Sequence, residues 1–189
     1  GAISLQATVT DRDGDTAQAN LNIGNALSFR DDGPSISPNN SPLPSLTVDE
    51  TNLAVNATAS FAGNFTPLFG ADAAGSVAYT LNTAGGNSGL TDVASGQPVV
   101  LVKNGDVIEG HVGNAAGAIA FIVSVNPATG EVTLDQQRAL THPNAANPDD
   151  AVSLAPGAIS LQATVTDRDG DTAQANLNIG NALTFKDDG

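Results

Sequence analysis

Two segments, Asp11-Arg12-Asp13-Gly14-Asp15 and Asp167-Arg168-Asp169-Gly170-Asp171, have the residue types and spacing best suited to chemistry. Each sets three carboxylates at alternate positions around a glycine. A tight loop of this kind turns its carboxylates toward one point, which is costly without a cation. Asp oxygens are hard donors that suit calcium. Neither segment is an EF-hand, because its glycine is fourth rather than sixth and position twelve is Asn22 or Asn178 instead of a bidentate Glu. Read alone, the loop is either a cation site or a solvated hairpin turn.

Other chemistry-bearing residues are weaker. Asp49-Glu50, in Leu46-Thr47-Val48-Asp49-Glu50, follows a short apolar stretch. The pair is either a bidentate ligand at a strand end or an exposed edge pair. Asn147-Pro148-Asp149-Asp150 is an oxygen-rich loop better suited to capping or solubility than to a metal. His111 and His142 stand far apart without cysteine and read as surface or turn residues. Ser88 lacks the setting of a nucleophile elbow. No Gly-rich loop with a following Lys offers a phosphate site. Nothing here assembles a catalytic constellation, so the chain is expected not to be an enzyme.

Composition narrows the classes further. Acidic residues number 20 against 6 basic, a net charge of -14, and there is no cysteine. Disulfide scaffolds are excluded, and so is nucleic-acid binding, which needs a basic face. No apolar run approaches the roughly twenty residues of a membrane span, so membrane insertion is not expected. Nearly all the acidic residues are Asp, a turn former rather than a helix former.

The elements that must position the loops are legible as a repeat. Residues 1–33 recur as residues 157–189, differing only at Ser28/Thr184 and Arg30/Lys186. The chain therefore reads as the tail of one repeat, 1–33, followed by a full repeat of 156 residues, 34–189. Such near-identity is expected of tandem copies in a much longer array, with any export signal outside this window. Within the full repeat, the proline-rich 34–45 reads as a stiff, extended linker and 46–189 as the folded body.

Alternation with a period of two dominates. Ile3, Leu5, Ala7 and Val9 interleave with polar residues, as do Ala17, Ala19, Leu21 and Ile23. Val77, Tyr79 and Leu81 continue the pattern, as do Ile119, Phe121, Val123 and Val125. Val99–Val102 and Val107–Val112 flank Asn104-Gly105, a hairpin signal, and residues 126–130 read as another turn. Only Asp135–Leu140 suggests a short helical turn. The expected fold is all-β, a sandwich of antiparallel strands.

This arrangement places the acidic loops. The strand after each loop runs down to Asp31-Asp32 or Asp187-Asp188 at the end of its repeat, so the loop lies at the opposite, N-terminal end. Asp167, Asp169 and Asp171 are then expected to face the incoming linker with Asp31 and Asp32. Five carboxylates at one junction call for a counter-ion, and calcium is the expected cofactor.

Thr164–Ala173 (TVTDRDGDTA), the linker Asp31-Asp32-Gly33-Pro34 and the stretch Leu46–Thr51 (LTVDET) resemble the tandem extender repeats of giant RTX adhesins. The segment Val125–Val132 (VNPATGEV) is similar to a turn common in bacterial cadherin-like and Ig-like repeats. The resemblance implies an Ig-like, Greek-key-like β-sandwich and calcium at inter-repeat junctions. It also implies type I secretion to the bacterial surface and a role in adhesion and biofilms. Its calcium ligands would be Asp31, Asp32, Asp167, Asp169 and Asp171. The expected partners are neighbouring repeats and calcium ions, the chain being otherwise monomeric. The expected function is a calcium-stiffened spacer that projects distal binding domains. The alternative is a glycan- or surface-binding module repeated for avidity, against which stand the absence of Trp and the single Tyr.

Overall fold

The computed structural model describes residues 3–144, 146–147 and 149–188. The chain divides into two compact units, Gly1–Asp32 and Gly33–Gly189. The first contains β1 (Ser4–Thr10) and β2 (Thr16–Asn22). The second opens with β3 (Ser35–Pro38), β4 (Leu46–Asp49), β5 (Ala57–Ser60), β6 (Phe65–Leu68), β7 (Ser76–Asn82) and β8 (Gly86–Thr91). It continues through β9 (Pro98–Asn104), β10 (Val107–Val112), β11 (Ile119–Val125) and β12 (Glu131–Gln136). It ends with β13 (Ala151–Ser153), β14 (Ser160–Thr166), β15 (Thr172–Asn178) and β16 (Leu183–Lys186). The described helices are single 3-10 turns, and none is long and apolar enough to cross a membrane.

The second unit is an all-β sandwich. One wall is a six-stranded sheet in the order β5-β12-β11-β10-β9-β8. Facing it are two three-stranded sheets, β15-β14-β7 and β13-β16-β4, with the β3-β6 pair beside them. Every pairing among these strands is antiparallel except β16 with β4. Phe121 of β11 and Phe185 of β16 are fully buried and meet across the sandwich with ring centroids 5.2 Å apart. The alternation read from sequence is physical in β14, where Leu161, Ala163 and Val165 point into the core and their neighbours point out. Leu161 stands opposite Leu81 of β7 on one side and Leu177 of β15 on the other.

The first unit is the same hairpin without a body. Leu5 pairs with Leu21 and Ala7 with Ala19, the register of Leu161 with Leu177 and Ala163 with Ala175. Among the described residues no strand occupies the β7 position beside β1, and Leu5, Val9 and Leu21 are exposed.

Three local expectations differ from the structure. Residues 35–38 of the expected linker form β3, which pairs with β6 and has Pro38 as its last residue. Asp135 and Gln136 complete β12 instead of a helical turn, because Ile122 pairs with Asp135 and Phe121 with Gln136. The β9–β10 turn is shifted by one residue. Asn104 pairs with Val107, which leaves Gly105-Asp106 as the loop, with Gly105 at φ +61°.

Candidate metal centre

The loop between β14 and β15 folds around the carboxylate of Asp167. The Asp167 amide donates to the Asp171 carbonyl at 3.1 Å and closes the hairpin. Asp167 Oδ1 accepts from the Gly170 amide at 3.1 Å and from the Asp171 amide at 2.8 Å. Gly170 makes the turn with φ +108°, a conformation that costs other residues. Residues 166–167 lie against Gly75, where a Cβ would overlap the Thr166 and Asp167 carbonyls, so only glycine admits this approach. The packing leaves Asp167 4% exposed.

The other oxygen of this carboxylate is the unusual atom. Asp167 Oδ2 is buried and has no hydrogen-bond donor, and the Asp169 side chain interacts with the same carboxyl group. Burial pushes the Asp167 carboxyl up. Its contact with Asp169 and the backbone N–H groups of Asp171 and Gly170 outweigh this and hold it below the ordinary value. This direction favours the ionised form, although one of its oxygens is buried without a hydrogen-bond donor. A buried acceptor without a donor costs roughly 1–3 kcal/mol, more when charged, and a hard cation at Oδ2 would remove that cost. Asp171 faces the start of the unit, with its Oδ2 3.7 Å from where a Cβ on Gly33 would lie.

The counterpart loop of the first unit folds alike. Asp11 Oδ1 accepts from the Gly14 amide at 3.1 Å and the Asp15 amide at 2.9 Å. Asp11, Asp13 and Asp15 each bring a carboxylate oxygen within 4.8 Å of the others, all three residues being exposed. The Asp13 carboxyl and the backbone N–H groups of residues 13–15 hold the Asp11 carboxyl below its usual range. The sequence sets the loop geometry in both units; burial of the first Asp needs the body that only the second unit has. Asp31 and Asp32 are exposed at the end of the first unit, where Asp31 Oδ1 accepts from the Asp32 amide at 3.1 Å.

Asp49 and Glu50 do not act as a pair. Asp49 is exposed and caps the 3-10 turn Glu50–Asn52 by accepting from the Thr51 amide at 2.9 Å, which holds its carboxyl below the usual range. Glu50 turns inward. Its Oε1 accepts from Gln136 Nε2 at 2.8 Å and the Leu140 amide at 2.8 Å, with His142 Nε2 at 3.3 Å. The parallel register of β4 and β16 ends with Asp49 aligned with Lys186, and Glu50 and Asp187 are the next residue of each segment. Glu50, His142 and Asp187 each offer a ligand atom within 4.8 Å of the others.

Neither histidine is a surface residue. The His142 side chain is 2% exposed. His111 is buried, its ring nitrogens 2.9 Å from the Gly117 carbonyl oxygen and 2.8 Å from Glu109 Oε2. His142 meets Glu50, 92 positions away in sequence, which spacing cannot reveal, whereas Glu109 lies two residues before His111 on the same face of β10, a local signal that the sequence reading passed over. Asp92 was likewise unmarked. It is buried, takes Arg138 Nε at 2.8 Å and Ser95 Oγ at 2.7 Å, and is held below the usual carboxylate range first by Arg138. The Asn147–Asp150 loop is structural: Asp150 Oδ2 accepts from the Asn144 amide at 2.8 Å and Asp149 lies 3.4 Å from Lys186. Its Pro148 lies outside the described residues.

Residues 45–180 match the model of a family described as "Domain of unknown function (DUF5801)". No curated protein and no solved structure matches the chain.

Proposed function

The chain belongs to the DUF5801 family, and we propose that it is a non-catalytic, calcium-stiffened spacer repeat of a bacterial surface adhesin. The observation that carries this reading is the buried, donorless Oδ2 of Asp167, in a loop that occurs twice with identical sequence. Calcium at this loop would satisfy the orphaned oxygen. On the sequence reading, the linker carboxylates Asp31 and Asp32 would join the same coordination sphere. A linker tied in this way loses its hinge. Near-identical copies supply length, which is what a projecting stalk outside the cell requires. Calcium affinity is expected in the range of extracellular modules, on the order of 0.1–1 mM.

Thermal melting with and without calcium tests this. Calcium should raise Tm through its binding to the folded state, and Asp167→Asn should abolish most of that rise. Melting curves that EDTA and calcium leave superimposed would defeat the reading.

A further inference from the structure

We propose that Glu50, His142 and Asp187, together with the carboxamide oxygen of Gln136, form a second divalent-metal site inside the Gly33–Gly189 unit, one fitted to zinc rather than calcium. It does not depend on the calcium reading.

The fold builds this cluster from three places. Glu50 and Asp187 follow the paired ends of β4 and β16, and the end of β12 with the chain beyond it brings Gln136 and His142 against Glu50. Gln136 is fully buried. Its Nε2 donates to Glu50 Oε1 at 2.8 Å and to the Arg138 carbonyl at 3.0 Å. Two acceptors on one nitrogen fix which end of the amide is NH2. The other end, Oε1, is then a buried acceptor without a donor. His142 has the same defect: Nε2 lies 3.3 Å from Glu50 Oε1, while Nδ1 is buried without a partner. Two buried, unmatched polar atoms thus belong to side chains that both contact one carboxylate, with a second carboxylate in reach.

Protonation does not repair this. An imidazolium could face Glu50, but its Nδ1–H would be a buried donor without an acceptor, and Gln136 Oε1 would stay unmatched. A cation needs no acceptor and can take a nitrogen lone pair and an amide oxygen at once. The donor set selects the ion. Calcium and magnesium take oxygen ligands, whereas one imidazole with two carboxylates suits zinc.

The test uses the whole chain with calcium present to fill the oxygen-only loops. Zinc is titrated by calorimetry while the histidine ring nitrogens are followed by NMR. One zinc should bind, the His142 ring resonances should move, and those of His111 should not. His142→Ala and Glu50→Gln should each weaken that zinc roughly tenfold or more, and His111→Ala should leave it unchanged. The ring measurement needs no variant, so it decides even if a substitution unfolds the unit. His142 resonances that ignore zinc, or that respond equally to calcium alone, would overturn the proposal, as would zinc affinity unchanged in His142→Ala.

Discussion

The carboxylate of Asp92 shows how a single buried charge is maintained in this sandwich. Arg138 holds its pKa down, and the Ser95 hydroxyl and amide complete its acceptor sites. A carboxyl with a lowered folded pKa contributes stability above its unfolded value, about 3.9. That contribution is lost as pH falls through the lower folded value. The Arg138 end is a third exposed, so water screens part of the attraction. Asp92→Asn should therefore cost about 2 kcal/mol at neutral pH. It should also flatten the decline of stability between about pH 4 and lower values. Urea unfolding of both proteins across that range measures the two effects; parallel acid limbs would remove Asp92 from the account of acid sensitivity.

At the level of elements, the chain contains an internal control. The sequence Ser-Leu-Gln-Ala-Thr-Val-Thr forms β1 and also β14. Leu161 is 0% exposed and Leu5 is 58% exposed. Leu161→Ala should destabilise the second unit by about 2–5 kcal/mol, while Leu5→Ala should change stability by less than about 0.5 kcal/mol. Chemical denaturation of the two variants makes the comparison, and equal losses would mean that β1 is covered in solution. The same contrast explains what the sequence could reveal. Alternation at Leu161, Ala163 and Val165 declared a strand with one apolar face, and the Asp167–Asp171 spacing declared a carboxylate loop, because both are local patterns. The Glu50–His142–Asp187 cluster was hidden because its residues lie far apart in the chain and meet only in the folded unit. The Gly105-Asp106 turn slipped by one position because Asn104 found a ladder partner in Val107.

For the molecule as a whole, the proposed stalk function requires junctions that resist bending. Pro34 restricts the linker backbone, but Gly33 and the exposed Asp31 and Asp32 leave rotatable bonds. Fixing each such residue costs roughly 1–2 kcal/mol of backbone entropy, which several carboxylate–calcium bonds can offset. In a chain of several repeats, small-angle scattering should give a longer maximum dimension with calcium than with EDTA. Asp31→Ala combined with Asp32→Ala should reproduce the EDTA result while each sandwich stays folded. Equal dimensions in all conditions would reduce the array to a flexible tether.

The bare β1–β2 hairpin also bears on how the chain refolds. Two nearly identical hairpins compete for a single place beside β7, and no side chain tells them apart, because neither Ser28 nor Arg30 lies in the paired strands. Refolding thus starts from a degenerate choice. A fraction of molecules should dock residues 4–22 first and must release them before 160–178 can enter, a kinetic trap of the kind common in repeat proteins. Stopped-flow refolding should show an extra slow phase that disappears when residues 1–32 are removed. The repetition that lengthens a stalk thereby slows its assembly, and a chain that emerges and folds one repeat at a time escapes the competition.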